Sequence, residues 1–308
     1  MEIACPVCAT DAPSTSVARR GDGLVIKHCP NCGLLFVSPR PTEESLSKLY
    51  STYFASHRKV EVQEEEYWQK ILRSQYSIPS SDPRIYFLKS QNVSIRGLRI
   101  LDIGSGDASF LLKCRKQGAS SVAGVEPDAS MARATTNHLG IPVHAGYLDT
   151  FPEDMGPFDL ITLWDVLEHL PDPGRTLKLA HGRLAKNGSL AAITPNAGRF
   201  EVEGTKWVGF RVDFEHMSYY SALTARQLFE ASGFKLRATQ EYGWPNLEEA
   251  IMSGRDLGIK TRIVRDLLWR FRALNPLVMK ITSAKEVLAN EGRNRRGRYH
   301  LCLLADKR

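Results

Sequence analysis

The 308-residue chain contains no run of about eighteen apolar residues, the length a membrane-spanning helix needs, and no apolar stretch follows Met1. Neither a spanning segment nor a secretory leader is expected, and the cytoplasm is the expected compartment. Internal repeats and low-complexity tracts are missing too, which leaves an ordinary globular chain. Cysteine is scarce outside one pattern: of six cysteines, four fall into two Cys-x-x-Cys pairs. The 43% apolar and 24% charged composition is enough to bury a sizeable core. The formal charge of +7 keeps anionic partners open.

The most informative segment is LDIGSGDA, Leu101 to Ala108. Arg99 to Ile103 is short, apolar and flanked by polar residues, as a buried parallel strand is, and helical periodicity starts at Ser109. Gly104 and Gly106 therefore sit at a strand-to-helix turn, where missing side chains let a ligand approach the backbone. Glu126 closes the next apolar run at the interval expected of a ribose-binding carboxylate. A dinucleotide site shares this outline, and a purely structural turn is the bland alternative. Asp102 discriminates: its charge would repel a pyrophosphate but attract a sulfonium amino acid. Ser109 also stands where the dinucleotide fingerprint wants Gly or Ala. An S-adenosylmethionine site is the expected reading.

Cys5-Pro-Val-Cys8 and Cys29-Pro-Asn-Cys32 form two knuckles that can present four thiolates to one Zn²⁺. A disulfide or a redox pair is the alternative, disfavoured in a reducing compartment. Cys114 and Cys302 are expected in the core. The small N-terminal unit has few apolar residues, so the metal should supply most of its stability.

From about Leu98 to the carboxyl terminus the chain resembles the class I S-adenosylmethionine-dependent methyltransferases. PFDLITLWDVLEHLPDP, Pro157 to Pro173, looks like the fourth strand and following loop of the branch that contains the ubiquinone-biosynthesis O-methyltransferases and many small-molecule and sugar methyltransferases. RLAKNGSLAAITPN, Arg183 to Asn196, resembles the turn and fifth strand of that family. The resemblance implies an α/β, doubly wound, Rossmann-like sheet of seven strands with the last antiparallel. It places cofactor contacts on Asp102, Gly104, Ser105, Gly106, Glu126, Pro127, Tyr147, Leu148, Asp149 and Trp164. One departure stands out: Tyr147 replaces the acidic residue after strand three, so the adenine contact shifts to Asp149 or backbone, with the Tyr147 ring able to stack.

Three segments follow: a zinc ribbon over 1–40, a helical linker or cap over 41–80, and the methyltransferase domain over 81–308. Pro39 and Pro41 stop any strand at Val37, Thr42 can cap a short helix, and Glu61 to Tyr76 reads as a longer one. The linker either roofs the substrate cleft or merely tethers the ribbon. Expected strands lie at Gly118–Val125, Phe158–Leu163, Leu190–Ile193, Lys235–Glu241 and Tyr299–Ala305.

Methyl transfer is an in-line displacement, so the protein must align a nucleophile and, for a hydroxyl, remove its proton. Asp165, Glu168, His169, Glu215 and His216 are the candidates. If Val166 to Leu170 begins a helical turn, Asp165, Glu168 and His169 share a face. His169 is the expected base, because imidazole titrates near neutrality, with Asp165 or Glu168 holding its tautomer. Local loop structure is the alternative. The resemblance also implies a divalent cation on Asp165, Glu168 and His169. DFEHMSYY, Asp213 to Tyr220, resembles an acceptor-lining region, so His216 and Tyr219 could touch substrate, or His216 could be a buried structural histidine.

The expected acceptor is a small molecule or a glycan, methylated at oxygen before carbon or nitrogen. A basic amphipathic insertion at about 245–290 carries an apolar stripe over Ile259 to Ile281 with Lys260, Arg262, Arg265, Arg270 and Arg272 around it. It could lie on anionic lipid at a membrane surface, or pack on the core or a second copy. RNA is the enzymatic alternative, since zinc ribbons also accompany RNA methyltransferases, but the ribbon is not especially basic and no stacking motif appears. A catalytically silent zinc-ribbon binding protein is the other, opposed by intact Asp102, Gly104, Gly106 and Glu126. Oligomeric state is not readable.

Overall fold

The computed structural model describes residues 3–53, 62–210, 215–242 and 299–308. Seven strands form one sheet: β4 (Arg99–Ile103), β5 (Ser121–Glu126), β6 (Val143–Ala145), β7 (Phe158–Trp164), β8 (Leu184–Pro195), β10 (Phe234–Tyr242) and β11 (His300–Lys307). Their order is β10-β11-β8-β7-β4-β5-β6, and β11 runs antiparallel to both of its neighbours, as the resemblance implied.

Alternation along the strands explains how the sheet is covered on both faces. Leu101, Ile103, Ile161, Leu163, Leu190 and Ala192 turn to one core, where they meet helices α6 (Pro173–Arg183) and α8 (Ala222–Ala231). Ile100, Leu160, Ala191 and Ile193 turn to the other. There they meet α2 (Glu65–Ser74), α3 (Pro83–Ser90), α4 (Ser109–Lys116) and α5 (Ala129–Leu139). Cys114 and Cys302 are buried in this second core.

Two strand starts differ from expectation by more than one residue. The second strand begins at Ser121 rather than Gly118, because the Gly118 amide still closes α4 by donating to the Arg115 carbonyl. The fifth starts early, at Leu184. Leu184 pairs with Phe158 and Ser189 with Leu160, so Asn187 and Gly188 are absorbed in a bulge instead of ending the strand.

The N-terminal unit builds a second sheet from β1 (Thr15–Arg19), β2 (Val25–His28) and β3 (Leu35–Val37). Its fourth strand comes from far along the chain: β9 (Ser218–Tyr219) pairs with β3 through Leu35↔Tyr219 and Phe36↔Ser218. Cys5, Cys29, Cys32, Leu34 and Phe36 pack in the same apolar cluster as Leu167 and Tyr220. Helix α1 (Glu43–Ser51) follows, with the Thr42 hydroxyl accepting from the Ser45 amide as a cap. A short helix α7 (Phe200–Glu203) precedes β9.

Among the described residues no helix is long and apolar enough to cross a membrane. The amphipathic insertion expected at 245–290 and the arginines at 293–298 lie outside the described residues.

Candidate functional site

The glycine turn leaves β4 as expected. Gly104 adopts φ +69°, and a Cβ there would stand 2.5 Å from Val166 Cγ2, so the loop after β7 closes directly onto it. The amides of Gly104 and Ser105 both donate to the Val125 carbonyl, at 2.8 and 3.0 Å. The Gly106 amide donates to Glu126 Oε2 at 2.9 Å, while Glu126 Oε1 accepts from the Asp128 amide. Asp102 accepts from the Thr162 hydroxyl at 2.6 Å. Both carboxyls are buried, and burial pushes each up to about 7.

The expected cofactor positions gather at the carboxyl ends of adjacent strands: Asp102 near the end of β4, Glu126 ending β5 with Pro127 after it, and Trp164 ending β7. Trp164 packs edge-on against Phe110, with centroids 5.2 Å apart. Beyond β6, Leu148 is buried, while Tyr147 is 44% exposed. Asp149 pairs with Arg175 at 3.1 Å. This rim, where Gly104 carries no side chain and two buried acids stand at adjacent strand ends, fits a cationic adenosyl amino acid.

Sequence reasoning missed the charge network beneath this rim. Arg84 and Lys113 each reach Asp82 Oδ2 at 2.7 Å. Burial works against the Asp82 charge, but the two cations hold its carboxyl well below the usual range. Tyr67, on α2, donates to Asp107 Oδ2 at 2.9 Å and ties the pre-domain helix to the glycine turn. The Asp-Pro-Arg run at 82–84, a helix cap with a charge two residues on, was the available signal.

Opposite the rim, Leu167 to His169 form one tight 3-10 turn. Glu168 is 1% exposed and His216 3% exposed. His216 Nε2 lies 3.8 Å from Glu168 Oε1. The rings of His169 and His216 meet edge-on at 4.7 Å. Tyr50 Oη, on α1, lies 3.1 Å from His169 Nδ1. Burial raises the Tyr50 phenol well above its ordinary pKa, so it stays neutral.

Asp165 does not join this group. It is exposed, in a left-handed conformation with φ +54°, and its amide donates to the Ile193 carbonyl. The shared helical face expected for Asp165, Glu168 and His169 is lost because the turn starts only after this reversal. Ligand atoms of Glu168, His169 and His216 lie within 4.8 Å of one another instead, so His216 replaces Asp165 in any cation-binding set. Tyr219 is also not open to an acceptor: it is buried against Trp207 and Phe210, and its hydroxyl accepts from Arg20 at 3.0 Å.

The four N-terminal thiols converge. Cys5 Sγ lies 3.4 Å from Cys32 Sγ and Cys8 Sγ 3.6 Å from Cys29 Sγ, with all four within 4.8 Å of one another. A disulfide needs about 2 Å, and all are free thiols. A tetrahedral Zn²⁺ with bonds of about 2.3 Å sets sulfurs about 3.8 Å apart, so the cluster fits zinc.

A family profile described as a methyltransferase domain matches residues 64–239. The chain belongs to that family, the class of S-adenosylmethionine-dependent enzymes that the glycine turn and its two acids suggest. The ubiquinone biosynthesis O-methyltransferase of Coxiella burnetii (strain Dugway 5J108-111) is 27% identical over 184 residues, 55% of this chain and 77% of that protein. The protein of the same name from Pseudomonas aeruginosa (strain LESB58) is 30% identical over 129 residues, 38% of this chain and 55% of its own length. The chain thus spans from about half to three quarters of these relatives. Among solved structures, the magnesium protoporphyrin IX methyltransferase of Synechocystis with bound SAH superposes with a TM-score of 0.50 at 14% identity, covering 86% of this chain and 99% of that one, which shows the shared fold.

Proposed function

We propose that the chain transfers a methyl group from S-adenosylmethionine to an oxygen of a small-molecule or sugar-containing acceptor. The observation that carries this reading is the juxtaposition of two buried carboxyls, Asp102 and Glu126, with a cluster of buried Glu168 and His216 and half-buried His169 beyond the loop that closes on Gly104. The names of the relatives support oxygen as the accepting atom.

When bound, S-adenosylmethionine supplies an electrophilic methyl on a positive sulfur. Asp102 and Glu126 would hold the donor, Asp102 by its charge and Glu126 through the ribose hydroxyls, with Ser105, Pro127, Tyr147, Leu148, Asp149 and Trp164 lining the rest. His169 would accept the proton of the acceptor hydroxyl, leaving an oxygen nucleophile for the donor's methyl. If Nδ1–H donates to the Tyr50 oxygen 3.1 Å away, Nε2 is the nitrogen left to accept a proton. His216 and Glu168 share the charge that develops on this side.

A divalent cation would sit on Glu168, His169 and His216, a mixed carboxylate–imidazole set, and would compete with His169 for its proton-accepting role. The zinc unit at 1–40, the linker at 41–80 and the catalytic domain at 81–308 complete the proposed organisation. The testing experiment is a methyl-label transfer screen over metabolite extracts, nucleotide sugars and ribosomal RNA. Label in a small O-methylated product is expected; label in RNA alone overturns the reading.

A further inference from the structure

Two buried arginines of the cysteine-bearing unit reach across to the two chain segments that carry the histidines. Arg40 Nη1 donates to the Pro171 carbonyl at 2.5 Å, two residues beyond His169. Its Nη2 donates to Ser218 Oγ at 2.8 Å and the Met217 carbonyl at 3.3 Å, directly after His216. One planar guanidinium therefore spans both segments, which a lysine cannot do. Arg20 Nη1 donates to the carbonyl of His216 itself at 2.5 Å and to Tyr219 Oη, while Asp22 holds the other end of its guanidinium.

Backbone bonds complete the junction. The Val37 amide donates to the Met217 carbonyl and the Met217 amide to the Glu168 carbonyl, so β3, the His216 segment and the Glu168 turn form one continuous ladder. Three of the four clustered cysteines share an apolar cluster with Leu167, the residue that opens that turn. The glycine turn, Asp102 and Glu126 take their hydrogen bonds instead from β4, β5, β7, the segments between them and Tyr67 of α2, and neither Arg20 nor Arg40 is among these partners.

We propose that Arg20 and Arg40 are positioning residues that set the His169–His216 pair, so that the acceptor half of the site depends on a metal-loaded ribbon while the donor half does not. This rests on the reading that the two histidines face the acceptor, but its test needs no acceptor. In the full-length chain with zinc bound, Arg40→Lys and Arg20→Lys are compared with wild type by zinc content, calorimetric titration with adenosylhomocysteine, and the imidazole carbon resonances of His169 and His216. Retained zinc, a Kd within about twofold of wild type and displaced histidine resonances are expected. Unmoved histidines, or a Kd weakened about tenfold in step with their displacement, overturn the proposal.

Should a variant fold poorly or lose zinc, the wild-type chain treated with EDTA supplies the second measurement. The same two resonances are then expected to shift and to return on adding zinc, with adenosylhomocysteine affinity kept. Loss of that affinity together with zinc, or no shift, overturns the proposal. A failed methyl-transfer screen with displaced histidine resonances would sink the function proposed above and leave this coupling standing.

Discussion

Tyr50 Oη lies 3.1 Å from His169 Nδ1, so a residue of the short helix after the ribbon touches the imidazole proposed as base. Tyr50→Phe removes that partner and keeps the ring packing against Tyr53. The expected result is about a tenfold fall in kcat with adenosylhomocysteine affinity unchanged, read by steady-state kinetics beside calorimetry. Equal losses in both would make Tyr50 a packing residue.

His169→Ala should cut turnover by at least about a hundredfold while donor affinity stays within about twofold, the pattern of a lost general base. A parallel collapse of donor binding would demote His169 to scaffold.

Donor affinity should depend on pH. Asp102 and Glu126 titrate near 7 without ligand, above the ordinary carboxylate range, so the folded protein holds protons that the unfolded chain has released. The stability they contribute is present below the ordinary carboxylate pKa and is lost as pH rises through about 7. A cationic donor favours the ionised forms, so its affinity should be about tenfold weaker at pH about 6 than at pH about 8. Calorimetry in buffers of different ionisation heat should also show proton release, and Asp102→Asn should flatten the profile. A flat wild-type profile would contradict the buried, protonated carboxyls.

Gly104→Ala joins a left-handed φ to a 2.5 Å clash with Val166, and the loop after β7 must give way. A loss of about 1–3 kcal/mol in a denaturant titration is expected, with weakened donor binding. Wild-type stability in this variant would mean that the loop is looser than its contacts suggest.

The glycine turn and the cysteine knuckles were legible because each is encoded locally, by apolar runs bounded by turn residues or by fixed Cys spacing, whereas seven strands with the last antiparallel came from the family resemblance. Asp165 was misplaced because its i, i+3 and i+4 relation to Glu168 and His169 presupposed a regular helix, and the chain reverses at Asp165 before a tighter turn begins. The pairing of β3 with β9 left no trace, since β9 is two residues long and shows no periodicity. Arg20 and Arg40 were equally silent. An isolated arginine carries no local sign of whether water or carbonyl oxygens will surround its guanidinium.

Strand β11 lies between β8 and β10, although it follows both in sequence. Until residues 300–307 slot in, β10 has no backbone pairing with the rest of the sheet. Completion of this edge is thus a late, long-range event in folding. Trimming the chain before His300 would unpair β10 and uncover the edge of β8, turning a small deletion into an aggregation hazard.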